Sequence, residues 1–116
     1  MVDGLKKLPA AFYRSARGTE PVREWLKGLS AADRRILGYD IATVEFGWPI
    51  GMPVCRPLGG GLWEVRSSLA SNRIARVIFC VTQERMMLLH GFVKKAQKTP
   101  KPNIELALKR RKEVER

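Results

Sequence analysis

The chain has little of what metal, redox and disulfide proteins are built from. Its 116 residues hold a single histidine, His90, and two cysteines, Cys55 and Cys80. Two cysteines this far apart make neither a disulfide framework nor a zinc-ligand spacing, and no cofactor is expected. A lone histidine removes the paired-imidazole route to acid–base catalysis from one copy of the chain. No apolar run approaches the roughly 18 residues of a membrane span. Lys6 and Lys7 are followed by no apolar segment of the signal-peptide kind, so the expected compartment is the cytoplasm, with no membrane partner.

Acidic residues are also scarce. Asp plus Glu is 11 against 22 Lys plus Arg, a formal charge of +11. The excess is concentrated: between Val65 and Ile104, Arg66, Arg73, Arg76, Arg85, Lys94, Lys95, Lys98 and Lys101 face one acid, Glu84. A surface of one sign attracts polyanions, of which nucleic acid is the commonest in a cell. A solvated basic face, or one matched to an acidic protein, is the bland alternative.

What remains is an ordinary globular composition, 45% hydrophobic, in a chain the size of one domain spanning residues 1–116. Leu8 to Tyr13 reads as a short first strand. Thr19-Glu20-Pro21 reads as a helix start, with a capping hydroxyl and a proline where its missing N–H costs nothing. Val22, Trp25, Leu26 and Leu29 form that helix's apolar stripe, and Gly28 ends it. Ser30, with Asp33 three residues on, opens a second helix bearing Ile36, Leu37, Ile41 and Val44, with a stop at Gly47. The segment Gly47 to Gly61, dense in Gly and Pro, reads as a long irregular loop.

Three strands are expected next: Leu62 to Ser68, Arg73 to Val81, and Arg85 or Met86 to Val93. Their connectors are short enough for hairpins, so they form an antiparallel meander. The near-continuous apolarity of the last strand implies cover on both faces. The tail from Pro102 or Asn103 onward reads as a helix. The fold expected is α+β, a helical hairpin packed on a small, mostly antiparallel sheet in the order β-α-α-β-β-β-α.

The last strand empties into lysines, Leu88-Leu89-His90-Gly91-Phe92-Val93-Lys94-Lys95 followed by Gln97-Lys98-Thr99-Pro100. A buried strand fixes its own end, so these cations are held in place. Fixed cations are what a protein needs to neutralise a phosphorane during metal-free RNA cleavage. The base in such a site would be a lysine depressed by neighbouring cations, with Lys94, Lys95 and Lys98 as candidates and Arg66, Arg73 and Arg76 on adjacent strands. Each has a plainer reading, as loop lysines or as the wet face of a sheet. His90 reads as a hydrogen-bonded core histidine, and Trp25, Trp48 and Trp63 as packing. Phe92 is placed to stack on a base. Gly59-Gly60-Gly61 lacks the Gly-Lys-Ser/Thr ending of a nucleotide loop and reads as a turn. Glu64 is a weak candidate acid, more readily a cross-strand partner for an arginine.

Leu62-Trp63-Glu64-Val65-Arg66, Arg76-Val77 and the run from Leu88 to Lys95 with Gln97-Lys98-Thr99-Pro100 resemble the phage-derived Gp49-like proteins. Those proteins are similar to the HigB toxins of the RelE/ParE superfamily. Pro21-Val22-Arg23-Glu24-Trp25-Leu26 and Gly47-Trp48-Pro49 fit as well. The resemblance implies a compact α+β toxin held by a helix-turn-helix antitoxin. In the ribonuclease branch it implies cleavage of mRNA in the ribosomal A site without a metal. It puts the strand arginine on Arg76 and the basic pair on Lys94 and Lys95, as catalytic residues. Arg66, Arg73, Phe92, Lys98 and Lys101 are the RNA-binding set. That branch often has a tyrosine or histidine near the C-terminus; none follows Val93 here, which leaves the general acid and base unassigned. A gyrase poison of the ParE kind and a non-catalytic binding module are the alternatives.

Overall fold

The computed structural model describes residues 5–94 and 98–115. Element order is β1 (Ala10–Phe12), α1 (Pro21–Lys27), α2 (Ala31–Gly47), β2 (Cys55–Gly59), β3 (Leu62–Ser68), β4 (Ile74–Thr82), β5 (Arg85–Lys94) and α3 (Lys101–Val114). The strands form one sheet in the order β1-β5-β4-β3-β2. β1 runs parallel to β5 and the other three pairings are antiparallel. This is the expected α+β architecture with one strand more than anticipated. No helix among the described residues is long and apolar enough to cross a membrane.

The helical hairpin forms for local reasons. Pro21 begins α1, and the Gly28 N–H closes it onto the carbonyls of Glu24 and Trp25. Glu20, not Thr19, is the N-cap, and it makes no side-chain cap; the Thr19 hydroxyl is engaged with Ser15 Oγ at 2.7 Å. Ser30 caps α2 by accepting from the Asp33 N–H at 3.1 Å. The Asp33 carboxylate is held by Arg73 and also meets the Ser30 side chain.

The extra strand, β2, corrects the reading of Gly47 to Gly61 as irregular. Cys55, Arg56 and Pro57 pair with Val65, Glu64 and Trp63. A proline and a terminal glycine argue against a central strand, but β2 lies at the sheet edge, where a missing N–H leaves no ladder bond unmade. Gly59, Gly60 and Gly61 all have positive φ and turn the chain tightly into β3.

Two cores flank the sheet. Val22, Leu37, Ile41 and Val44 of the helices pack on Val65, Val77, Phe79 and Leu88. Each such fully buried side chain is worth roughly 1.5–3 kcal/mol of apolar transfer. Trp48 meets Trp63 and Phe79 edge-on at 5.0 and 5.8 Å between centroids. Trp25 lies so close over Gly91 that any Cβ there would strike its ring. On the opposite face Leu62, Ile78, Cys80 and Leu89 pack against Ala107 of α3. β5 is therefore covered by α1 on one side and α3 on the other.

A bulge in β5 lets one strand serve both cores. Ile78 pairs with His90 but Phe79 pairs with Leu88, leaving Leu89 as the extra residue. The Leu89 carbonyl accepts from Arg110 Nη1 at 2.8 Å, which ties α3 to the bulge. Arg110 also lies over the Tyr13 ring, and the Tyr13 hydroxyl donates to Glu113. α3 thus covers one end of its face of the sheet and leaves the other end to polar residues.

Candidate functional site

Strand register writes the site as rows across the α3 face of the sheet. Residues directly paired on neighbouring strands share a face, and alternate positions along each strand repeat it. The first row is Arg56–Glu64–Ile78–His90, the second Arg66–Arg76–Phe92, and the third Ser68–Ile74–Lys94. Arg66 and Arg76 are direct neighbours, a placement that like charges disfavour.

The compensation is a buried carboxylate. Glu64 has 0% exposure and carries three contacts. Arg56 Nε lies 3.1 Å from its Oε2, Arg66 Nε 3.8 Å from the same oxygen, and Thr99 Oγ1 donates to Oε1 at 2.5 Å. Thr99 in turn accepts from Arg76 Nη1 at 3.2 Å. Two guanidiniums therefore contact one buried carboxylate and a third reaches it through Thr99, leaving an excess of positive charge around it. The Arg76 guanidinium shows it: burial lowers its pKa, Glu64 raises it, and Arg66 and Arg56 lower it again. Charge balance at this face calls for an anion.

The expected residues fall into three groups. Arg66, Arg76, Phe92 and Lys94 come together in the second and third rows. Arg76 has 0% exposure, so its contact is with Thr99 instead of solvent, while Lys94 is exposed at the end of β5. Lys98 is exposed and lines a cavity of about 240 Å³ with Arg56, Leu58, Thr99 and Ile104. Lys101 is exposed at the first turn of α3. Arg73 stands apart: Nη1 and Nη2 reach the two carboxylate oxygens of Asp33 on α2, at 2.9 and 3.2 Å. Lys95 lies outside the described residues.

His90 keeps the core role anticipated for it. Its Nε2 is 2.6 Å from Asn103 Oδ1, an oxygen that only accepts, so this nitrogen carries the proton. Its ring stacks on Phe92 at 5.5 Å. Burial lowers its pKa, the Asn103 hydrogen bond opposes that shift, and Arg110 adds to it. Among the described residues, no three His, Cys, Asp or Glu side chains gather as a metal-binding group.

Two members of the site escaped sequence reasoning. Arg56 lies in a segment read as loop, and the burial there does not alternate cleanly: Cys55 is buried, Arg56 and Leu58 are half-buried and Pro57 is exposed. Thr99 sits in the lysine-rich tail, and its hydroxyl bridges Arg76 and Glu64.

A family model described as phage derived protein Gp49-like (DUF891) matches residues 24–112. The matched span runs from within α1 to near the end of α3 and includes every row of the site. No curated protein matches the chain.

Proposed function

The chain belongs to the phage-derived Gp49-like family, a family of RelE/HigB-like toxins, and from that membership we propose that it is the toxin of a type II toxin–antitoxin pair that cuts mRNA on the ribosome. The observation that carries the reading is the triad Arg56, Arg66 and Arg76 around the single carboxylate of Glu64. RNA cleavage by the ribose 2′-hydroxyl builds negative charge on the phosphorane and on the leaving 5′ oxygen. Cations held in place before the substrate arrives stabilise that charge without reorganising. Arg66 and Lys94 present the outer charges. Arg76, covered by Thr99, acts from behind as a fixed charge, and Phe92 offers a ring beside them for a base.

In this reading Glu64 is the clamp that sets the arginines, and the proton donor and acceptor are supplied elsewhere. The partner proposed is an antitoxin with a helix-turn-helix domain; an acidic segment of it would suit the same basic face.

Mapping mRNA 5′ ends shortly after induction tests the proposal. New ends within translated regions support it. Intact mRNA with DNA-damage signalling would favour a gyrase poison, and salt-sensitive RNA binding without cleavage would favour a binding module.

A further inference from the structure

A second cavity, about 490 Å³, opens beside the arginine rows and shares Arg66 with the cluster around Glu64. Its walls include Ile36 and Asp40 of α2, Val54, and Arg66, Ser68 and Ile74 of the sheet. Arg66 belongs to the second row, and Ser68 and Ile74 to the third. The cavity is thus continuous with the surface proposed to hold the scissile phosphate. Its volume falls in the roughly 300–1,000 Å³ range of small-ligand sites, and its walls mix apolar with polar side chains.

Two side chains of opposite charge, Asp40 and Arg66, line it. Asp40 is half-buried and makes no hydrogen bond or ion pair among the described residues, in a chain of charge +11 where cations are plentiful. Arg66 Nε is buried and makes no hydrogen bond among the described residues, its ion-pair contact with Glu64 being 3.8 Å long. The Asp40 carboxylate and the Arg66 side chain line the same cavity, while the Arg66 Nε itself is closed off beside Glu64.

We infer that this cavity is a nucleobase subsite selective for guanine, with Asp40 reading the base and Arg66 taking the adjoining phosphate. An ionised carboxylate only accepts hydrogen bonds, and it does so with two oxygens. The Watson–Crick edge of guanine offers it two adjacent donors, N1–H and the N2 amino group. Adenine and cytosine set one amino donor beside a ring nitrogen whose lone pair repels a carboxylate. Uracil flanks its one N–H with two carbonyls. Ile36 and Ile74 supply apolar surface for the faces of the ring. Single-stranded bases, splayed from their stack, are read on this edge.

The purpose of the subsite rests on the endonuclease reading, but its binding is measured without any cleavage. The four nucleoside 5′-monophosphates are titrated separately into the isotope-labelled protein, with backbone amide shifts followed by NMR. GMP is expected to move the amides of Ile36, Asp40 and Val54, and to bind about tenfold more tightly than UMP, as one bidentate base contact provides. Asp40→Asn, which keeps the shape and loses the charge, is expected to remove that preference while the spectrum stays that of a folded protein. Equal binding of all four nucleotides, shifts confined to other surfaces, or no shift at all overturns the inference. Failure of the mRNA assay with GMP selectivity intact would instead remove only the endonuclease reading.

Discussion

Arg66 on β3 and Arg76 on β4 are direct cross-strand partners on the face of the sheet that α3 covers only in part. Unaided, that pairing opposes folding. It is held because Glu64 sits two residues from Arg66 on the same face and Thr99 closes the circuit from Arg76. Stability is thus given up locally to hold positive charge at a surface that a phosphate fits.

Glu64 is the residue on which this arrangement turns. Glu64→Gln keeps the shape but leaves three neighbouring guanidiniums with no carboxylate among them. Removing one partner from a buried ionic group costs about 3 kcal/mol. Urea unfolding should show that loss as a lower midpoint with an unchanged slope.

His90 makes stability depend on pH just below neutrality. Burial lowers its folded pKa beneath the ordinary 6.5, so the unfolded chain takes up the proton first. Stability is full above about pH 6.5 and falls as pH drops from there to the folded pKa. NMR titration of the imidazole should give a midpoint below 6.5, and His90→Gln should flatten this part of the stability curve.

Asp33 acts in a separate, more acidic window. Its hydrogen bond from Arg73 lowers its pKa from 3.8, with burial opposing and the Arg73 charge assisting. Its contribution is present above about pH 3.9 and is lost as pH falls through the lower folded value. Acid unfolding of Asp33→Asn and of Arg73→Ala should each show less pH dependence below pH 4 than the parent.

The β4–β5 turn is built against its own sequence. Gln83 and Glu84 have φ of 52° and 59°, the left-handed pair of a tight hairpin turn that Asn-Gly adopts readily. Replacing them with Asn and Gly should raise stability by about 1 kcal/mol. Thermal melts would register an increase in Tm of a few degrees.

Much of this was legible in the sequence, and the reasons differ by element. The helix hairpin announced itself through Pro21, Gly28 and Ser30, whose effects are local. β3, β4 and β5 announced themselves through alternation and short connectors. β2 did not, because an edge strand tolerates Pro57 and a glycine end, and so looks like the loops around it. The cationic run from Val65 to Ile104 contains Arg66, Arg76 and Lys94, which sheet register brings onto one face. It gave no means of telling that Arg73 turns to Asp33 on α2, since that depends on where a helix lands. Nor did it reveal Arg56 or Thr99, which join the site only through sheet register and the path of the chain into α3.

The central claim is that the arginines around Glu64 serve cleavage of mRNA. The most direct measurement is the map of mRNA 5′ ends minutes after induction, made for the parent and for Arg66→Ala at equal protein level. The account predicts new ends inside translated regions for the parent and a loss of about tenfold or more in their frequency for Arg66→Ala, as expected when a charge-stabilising contact is removed. Intact mRNA with the parent, or the same ends at the same frequency with Arg66→Ala, would contradict it.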